Sequence, residues 1–254
     1  MLDSALSVPL EMIKMLSRQS LVAVVLAVSS LPVAAKDINN IGGLTQDEFH
    51  RMSQDLVSAL SYKPLTPAEP LGLFGFDLGV AATDPKIKNT DAFKNAGAGD
   101  ISDIAVPSLR FNMGLPFGLD VGVMAGAAPS TNVRLYGGEV RWAFIKGSTT
   151  MPAIALRGSY TQLAGVDQLD FNTKGADLSI SKGFALFTPY AGIGKVWVTS
   201  TPKNIVTATP SKESLSENKY FVGVNMNFVL VNVALEADKT GDDTSYGLKL
   251  GFRF

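Results

Sequence analysis

From Leu73 to Phe254 the chain alternates apolar and polar residues, which is the two-residue period of β-strands. The last nine residues show the pattern most clearly. One parity is wholly apolar and the other is small or charged: Tyr246, Leu248, Leu250, Phe252 and Phe254 against Gly247, Lys249, Gly251 and Arg253. An unpaired apolar ribbon of this kind would aggregate in water. The pattern therefore predicts a strand with lipid on one side and a polar lumen on the other.

Ten such strands are predicted, and they make the chain an all-β protein, a transmembrane antiparallel up-and-down β-barrel over residues 73–254. The predicted strands lie near residues 73–83, 104–114, 119–128, 132–145, 151–163, 169–181, 186–199, 219–227, 231–239 and 244–254. The even number agrees with single-chain bacterial barrels.

The lengths of the connections support this assignment independently. Residues 84–103 and 200–218 form long loops at one end of the predicted barrel, whereas all connections at the other end are short. Outer-membrane barrels have long external loops and short periplasmic turns. With both termini on the periplasmic side, the two long loops face outside.

The inward parity gathers charges of both signs, with six acids against five bases. This predicted lumen network comprises Asp77, Arg110, Asp120, Glu139, Arg141, Arg157, Asp177, Glu236, Asp238, Lys249 and Arg253. Opposite charges can pair across a narrow lumen, and a ten-stranded barrel is only slightly wider than barrels that side chains fill. We therefore expect an occluded interior. Strand seven changes parity in its apolar residues, which predicts a bulge near Gly194.

The N-terminal residues have the order of a secretory signal peptide. Lys14 and Arg18 precede an apolar run at residues 21–31, and Val33-Ala34-Ala35 forms a small-residue cleavage site. The run is too short for a spanning helix, which disfavours a membrane anchor. Residues 1–35 are thus predicted to be removed, and translation could start at Met15.

Residues 36–72 are predicted to form a periplasmic helix followed by a proline-rich linker. Thr45 and Glu48 have the spacing of a capping box, and an apolar stripe follows at helical spacing. Two positions remain open. The helix could plug the lumen, or it could lie outside as an appendage on the periplasmic rim or a partner, which its apolar stripe favours.

Composition narrows the chemistry. The chain has no cysteine and a net charge of −1, so nothing indicates thiol catalysis or nucleic-acid binding, and its mean hydropathy of +0.19 suits a barrel with a polar lumen. No catalytic, cofactor-binding or metal-binding residues are predicted. The single histidine, His50, lies on the predicted helix with no partner beside it, and a lipid-modifying barrel enzyme would need such a base among its strands.

The closing strand resembles the C-terminal strand of bacterial outer-membrane β-barrels, in which a final Phe is a signal for the insertion machinery. The resemblance implies this role for Tyr246, Leu248, Leu250, Phe252 and Phe254. Further phrases resemble a group of uncharacterised proteobacterial outer-membrane proteins over residues 41–254. These phrases are Ser61-Tyr62-Lys63-Pro64-Leu65, Pro67-Ala68-Glu69-Pro70-Leu71-Gly72, Gly114-Leu115-Pro116-Phe117-Gly118, Tyr136-Gly137-Gly138-Glu139, Gly165-Val166-Asp167-Gln168-Leu169 and Thr188-Pro189-Tyr190-Ala191-Gly192.

That resemblance implies a location in the bacterial outer membrane and brings no activity with it. We expect a non-enzymatic barrel with a structural or surface-interaction role. The alternative is a narrow channel for small polar or apolar solutes, gated by the N-terminal helix. The expected partners are outer-membrane lipid, lipopolysaccharide and, during insertion, the barrel-assembly machinery.

Overall fold

A computed structural model describes residues 37–99, 105–129, 131–206 and 209–254. The predicted signal peptide lies outside these residues. Two α-helices and ten strands are present in the described part: α1 Gln46–Leu60, β1 Phe76–Pro85, α2 Thr90–Asn95, β2 Val106–Gly114, β3 Leu119–Ala127, β4 Arg134–Lys146, β5 Ala153–Ala164, β6 Leu169–Ser181, β7 Phe187–Pro202, β8 Glu213–Phe228, β9 Val231–Thr240 and β10 Asp243–Arg253.

The ten strands form one closed antiparallel barrel in sequence order, which confirms the predicted fold class. The seam joins β1 to β10, with Asp77 opposite Arg253 and Pro85 opposite Ser245. Phe254 extends the seam by exchanging backbone hydrogen bonds with Phe76, and the two aromatic rings stack 5.4 Å apart. Closure pairs both strand edges, so none is left to aggregate.

The two faces of the barrel follow the predicted alternation. Apolar side chains of the outward parity are exposed on strand after strand, including Leu78, Leu109, Trp142 and Leu235. The inward parity is buried and carries most of the charged residues. Such a belt of exposed apolar residues around a polar interior requires lipid as its surroundings.

The bulge predicted near Gly194 is wrong. Strand β7 pairs with β6 and with β8 without a register shift, and its even-numbered residues face inward throughout. Val196 and Val198 are therefore inward residues, and they are buried because apolar residues of α1 pack in the same core. A register shift occurs instead between β4 and β5, between Trp142 and Ile145.

One end of the barrel carries only short turns, whereas the other carries the two longest connections, after β1 and after β7, together with shorter ones. The connection after β1 spans residues 86–105 and includes α2, whereas Leu115 to Gly118 joins β2 to β3 by a tight turn. Strand β8 begins at Glu213, earlier than the predicted start near Lys219, and this leaves a shorter loop at residues 203–212. We call the two ends the loop end and the turn end.

Of the two positions left open for the helix, the structure has the one inside the lumen and not the periplasmic one. Helix α1 lies inside the loop end of the barrel and contacts β1, β5, β7, β8, β9 and β10. Its apolar stripe, including Phe49, Met52 and Leu56, packs with inward residues of the wall such as Leu135 and Phe171. The lumen is thus apolar at this end, which is the reason that an amphipathic helix can lie in it. Among the described residues, no helix is long and apolar enough to cross a membrane.

Candidate functional site: the occupied barrel lumen

After α1 the chain runs without regular secondary structure down the lumen to the turn end, where β1 begins, and Leu65 has a left-handed backbone conformation with a φ of 50°. We call Ser61–Leu71 the lumen segment. Residues 61–68 are all buried. The segment leaves the barrel at Gly72, whose carbonyl accepts from the Gly75 N–H next to the end of β2. The protein therefore fills its own lumen with the residues that precede its first strand.

The wall supplies the hydrogen bonds that the lumen segment lacks as an unpaired strand. Thr161 donates to the carbonyl of Leu60 at 2.8 Å, Lys219 to that of Tyr62 at 2.5 Å, and Arg110 to that of Lys63 at 2.6 Å. Further along, the N–H of Leu65 donates to Glu236 at 2.8 Å. A buried backbone group without a partner is costly, so these side chains hold the segment in one place.

Proline reduces the number of donors that must be satisfied. Pro64, Pro67 and Pro70 have no backbone N–H, and each restricts the preceding residue to extended conformations. Two of the remaining donors near the turn end bond to the wall: the N–H of Glu69 donates to Ser181 at 3.1 Å and that of Leu71 to Asp120 at 3.2 Å. The proline spacing that indicated a linker is thus suited to a chain buried without strand partners.

Two ion-pair groups lie on the β1, β9 and β10 side of the lumen. Asp238 accepts from Lys63 of the lumen segment at 2.8 Å, and both side chains are buried. Asp77 lies at the seam, where Lys249 approaches it at 2.6 Å and Arg253 at 3.5 Å. The Asp77 carboxylate on β1 therefore binds two cations of β10 and links the first strand to the last.

Two further groups lie on the β3 to β6 side. Arg141 forms an ion pair with Asp120 and donates to the carbonyl of Pro67 at 2.6 Å. Arg157 lies 2.7 Å from Glu139 and 3.6 Å from Asp177. Arg141 and Arg157 both reach the hydroxyl of Thr66, at 2.8 and 3.5 Å. The charged side chains of the network therefore bind the lumen segment. They do not close an otherwise empty lumen by pairing only with one another.

All eleven residues of the predicted network face inward, and ten of them are buried, whereas Arg253 is partly exposed at the turn end. Three important members were missed. Lys63 lies in the linker, where no alternation marks it. Lys219 is the first residue of the predicted strand eight and has the inward parity of Asn225, but it was not assigned to the network. Tyr190, which donates to Glu236 at 2.9 Å, was not assigned a role in strand seven. Continuing the even parity of β7 through Val196 would have placed Tyr190 inward.

At the loop end a carboxylate fastens α1 to the connection after β1. Asp55 accepts from the backbone N–H of Asn89 at 2.7 Å, from that of Lys88 at 3.1 Å and from the Asn89 side chain at 2.8 Å. Burial raises the pKa of Asp55, while these hydrogen bonds act in the opposite direction. Asp55 lies on the helix, outside the membrane-spanning strands.

His50 has a partner, contrary to the sequence-based expectation. Its Nδ1 lies 3.2 Å from Glu213 at the start of β8, and Gln46 contacts the same carboxylate. The pair ties α1 to the β7–β8 connection. The sequence-based expectation considered only residues near His50 in the chain, whereas Glu213 is far from it in sequence.

The five residues of the predicted insertion signal lie on the outward parity at the seam. Tyr246, Leu248, Phe252 and Phe254 are exposed, and Leu250 is partly exposed. Their recognition by the insertion machinery stays a prediction.

A closed ten-stranded antiparallel barrel, an outward apolar belt and a polar interior define the class: the protein is a bacterial outer-membrane β-barrel. No family model and no curated relative matches the chain.

Several solved outer-membrane barrels are similar at low identity. The N-terminal β-barrel domain of OprF from Pseudomonas aeruginosa is 13% identical, with a TM-score of 0.37 and coverage of 72% of this chain and 98% of that one. The KdgM porin is 9% identical, with a TM-score of 0.37 and coverage of 70% and 99%. The protease OmpT from Escherichia coli is 8% identical, with a TM-score of 0.36 and coverage of 72% and 97%.

Proposed function

We propose that the protein is a non-enzymatic barrel whose lumen is kept closed by its own N-terminal segment and whose loop end serves a structural or surface-interaction role. One observation carries this proposal: the polar side chains of the lumen bind the lumen segment. Lys63 is buried against Asp238, and Arg141 donates to both Thr66 and Pro67. A solute would have to displace these contacts to pass.

The loop end offers the surface for interactions. Helix α1, helix α2 and the connections between strands meet there, fastened by Asp55 and by the His50–Glu213 contact. Lipopolysaccharide would surround this end. The barrel-assembly machinery would act earlier, during insertion, by recognising the closing strand. Among the described residues, no group of three His, Asp or Glu side chains could hold a metal ion, so the proposal involves none.

The second candidate is a narrow channel for small polar or apolar solutes that opens when the N-terminal segment moves. The observation in its favour is that the lumen segment contacts the wall through side-chain hydrogen bonds and ion pairs instead of a strand ladder. Such contacts can be exchanged for water one at a time, whereas a ladder separates cooperatively.

Conductance in planar bilayers separates the two candidates. The native protein should give no single-channel steps over the voltage range that the bilayer tolerates. A disulfide between the lumen segment and the wall provides the matched control, because the chain has no cysteine of its own. The pair Leu65→Cys and Gly247→Cys is suitable, because a Cβ at Gly247 would lie 2.8 Å from Cδ2 of Leu65 and 3.6 Å from its Cγ.

The proposal expects the oxidised and reduced forms of this double variant to be equally silent. Steady steps in the native protein that disappear on oxidation of the double variant, and return on reduction, would establish the channel and overturn the proposal. Each single cysteine variant under the same oxidant controls for chemical damage.

A further inference from the structure

Three lysines interrupt the apolar outward face on the β6 to β9 side of the barrel. Lys174 on β6, Lys195 on β7 and Lys239 on β9 have the outward parity and are exposed. Below them, towards the turn end, the same faces carry Leu178, Ile193 and Leu235. The lysines therefore mark the upper limit of the lipid-facing belt on this side.

The strand register places the three lysines at one height. Lys174 lies opposite Trp197, which is two residues from Lys195. Lys195 lies opposite Asn218, which is two residues from Tyr220, and Tyr220 lies opposite Lys239. Barrel strands tilt by about 35–45°, and this tilt brings such diagonal neighbours to nearly the same level along the barrel axis.

Aromatic side chains identify that level as the membrane interface. Tyr160 and Trp197 flank Lys174 on the neighbouring strands, and Tyr220 lies beside Lys239; their exposed fractions are 42%, 46% and 54%. Tyr and Trp gather where the hydrocarbon ends and the headgroups begin. Because the row lies towards the long connections, it belongs to the outer leaflet.

None of the outward-facing residues beside these three lysines is a carboxylate that could neutralise their charge. Their outward-facing neighbours at the same level are Asn218, Thr244 and the aromatic residues. Glu217 has the inward parity of β8 and acts on Lys195 only through a longer-range electrostatic interaction. In the described part of the chain, no ion pair within 4.0 Å involves any of the three lysines. Three ammonium groups at a headgroup level need anions from outside the protein.

We propose that Lys174, Lys195 and Lys239 form a binding site for the phosphate groups of a lipid in the outer leaflet. The three strand intervals from β6 to β9 and the two diagonal steps of two residues separate Lys174 from Lys239 by about 20 Å along the wall, which a headgroup with more than one phosphate or two adjacent headgroups can span. Lysine suits this role because its apolar stem lies along the barrel wall while its ammonium group reaches the phosphates. Continuity with the lipid-facing belt makes a membrane lipid the occupant.

The test uses the full-length protein in zwitterionic micelles, with lipopolysaccharide and chemically dephosphorylated lipopolysaccharide as probes. The native protein should bind the phosphorylated probe more tightly. The triple variant Lys174→Gln, Lys195→Gln, Lys239→Gln should bind it at least about tenfold more weakly, since each lysine near an anionic surface is worth roughly fivefold. Binding of the dephosphorylated probe should not change.

The matched control removes three lysines of the loop end, one on α2 and two in the β7–β8 connection: Lys94→Gln, Lys203→Gln and Lys212→Gln. It makes the same change in net charge and should leave binding within about twofold of native. Equal loss in both triple variants would show a general charge effect and overturn the site, as would equal affinity of the native protein for both probes. Heat-modifiable migration on gels verifies that each variant is a folded barrel. The result does not depend on whether the lumen conducts.

Discussion

At the scale of single residues, buried charges hold the lumen segment more firmly than exposed ones could. The side chains of Lys63 and Asp238 are 4% and 3% exposed, and Asp238 also accepts from Ser245 and Thr240. On the surface, Arg51 pairs with Asp91 at 2.9 Å, with side chains 31% and 60% exposed. Removing one partner of a buried pair leaves an uncompensated charge, whereas solvent screens the surface pair.

Lys63→Met should therefore lower the free energy of unfolding by about 3–5 kcal/mol, because it leaves the Asp238 charge buried and unpaired. Arg51→Met, the matched control, should lower it by no more than about 1 kcal/mol. Denaturant titration in micelles, followed by tryptophan fluorescence, measures both. Equal effects would mean that Lys63 is accessible to solvent and that the lumen segment is not held as described.

Two glycines allow a test of where the lumen segment leaves the barrel. A Cβ added at Gly114 would lie 1.8 Å from the carbonyl oxygen of Gly72, whereas one added at Gly158 would meet nothing within 4 Å. Gly114→Ala should cost about 1–3 kcal/mol of folding free energy because backbone must shift. Gly158→Ala should be neutral or stabilise by up to about 1 kcal/mol. The same titration checks both, and a neutral Gly114→Ala would refute this exit path.

At the scale of elements, the barrel strands could be predicted because parity alone defines their two faces. The position of α1 could not. Its apolar stripe was correctly recognised, but its partners include Leu135, Phe171 and Val198 on three different strands. These strands also carry polar inward residues, so parity alone did not mark their apolar inward positions. An apolar patch formed by several strands far apart in the sequence leaves no periodic signal in any one of them.

The residues of the candidate site also divide into those that the sequence pattern predicts and those that it does not. The charges on the wall followed from alternation, since each lies on a strand whose outward residues are apolar. Lys63 could not be assigned because it lies in a segment without periodicity, and its role depends on where that segment runs. The first turn of α1 was predicted in detail: Thr45 accepts from the N–H of Glu48, and the Glu48 carboxylate accepts from Thr45.

This capping box gives a pH-dependent prediction. Hydrogen bonds from the backbone N–H and the hydroxyl of Thr45 hold the pKa of Glu48 below its ordinary value of 4.5. Because the folded-state pKa of Glu48 is lowered, its carboxylate stabilises the fold above pH 4.5. This contribution is lost as the pH falls through the folded-state pKa. Glu48→Gln should thus be less stable than native at pH 7, and the difference should vanish in acid.

Thr45→Ala should cost about 1 kcal/mol at pH 7 by removing the hydroxyl that caps the helix. Amide hydrogen exchange in the first turn of α1 measures both variants. Asp37→Asn, which changes an exposed acid outside the helix, serves as the control and should leave exchange in α1 unchanged. A difference between Glu48→Gln and native that grows in acid would contradict the assignment.

At the scale of the whole molecule, the chain crosses the barrel interior once before it builds the wall. Near Asp37 the chain bonds to the loop end: the N–H of Ile38 donates to Asn132 at 3.2 Å, the N–H groups of Asn39 and Asn40 donate to Ala96, and that of Ile41 donates to Gln168 at 2.8 Å. Residue 37 is therefore at the loop end, opposite to the start of β1, so the expectation that both termini lie on the turn side is wrong for the N-terminal end of the described chain.

An epitope inserted directly before Asp37 should consequently be detected by antibody on intact cells. The same epitope inserted in the turn at Leu115–Gly118 should be detected only after the outer membrane is permeabilised. Flow cytometry of intact and permeabilised cells measures both, and retention of heat-modifiable migration confirms folding. Detection of the turn epitope alone on intact cells would reverse the assigned orientation.

The threaded path also limits how quickly the lumen could ever open. The lumen segment is joined covalently to β1 at the turn end, so it can withdraw only in that direction, and it must draw α1 behind it. A folded helix is about 10 Å across, and to follow the segment it would have to displace the buried side chains of Arg110, Arg141 and Arg157 from the lumen. The helix would first have to unfold and release its capped end. Even though its single contacts can be exchanged for water one at a time, withdrawal of the whole lumen segment would therefore require local unfolding of α1, and opening of the lumen would be slow.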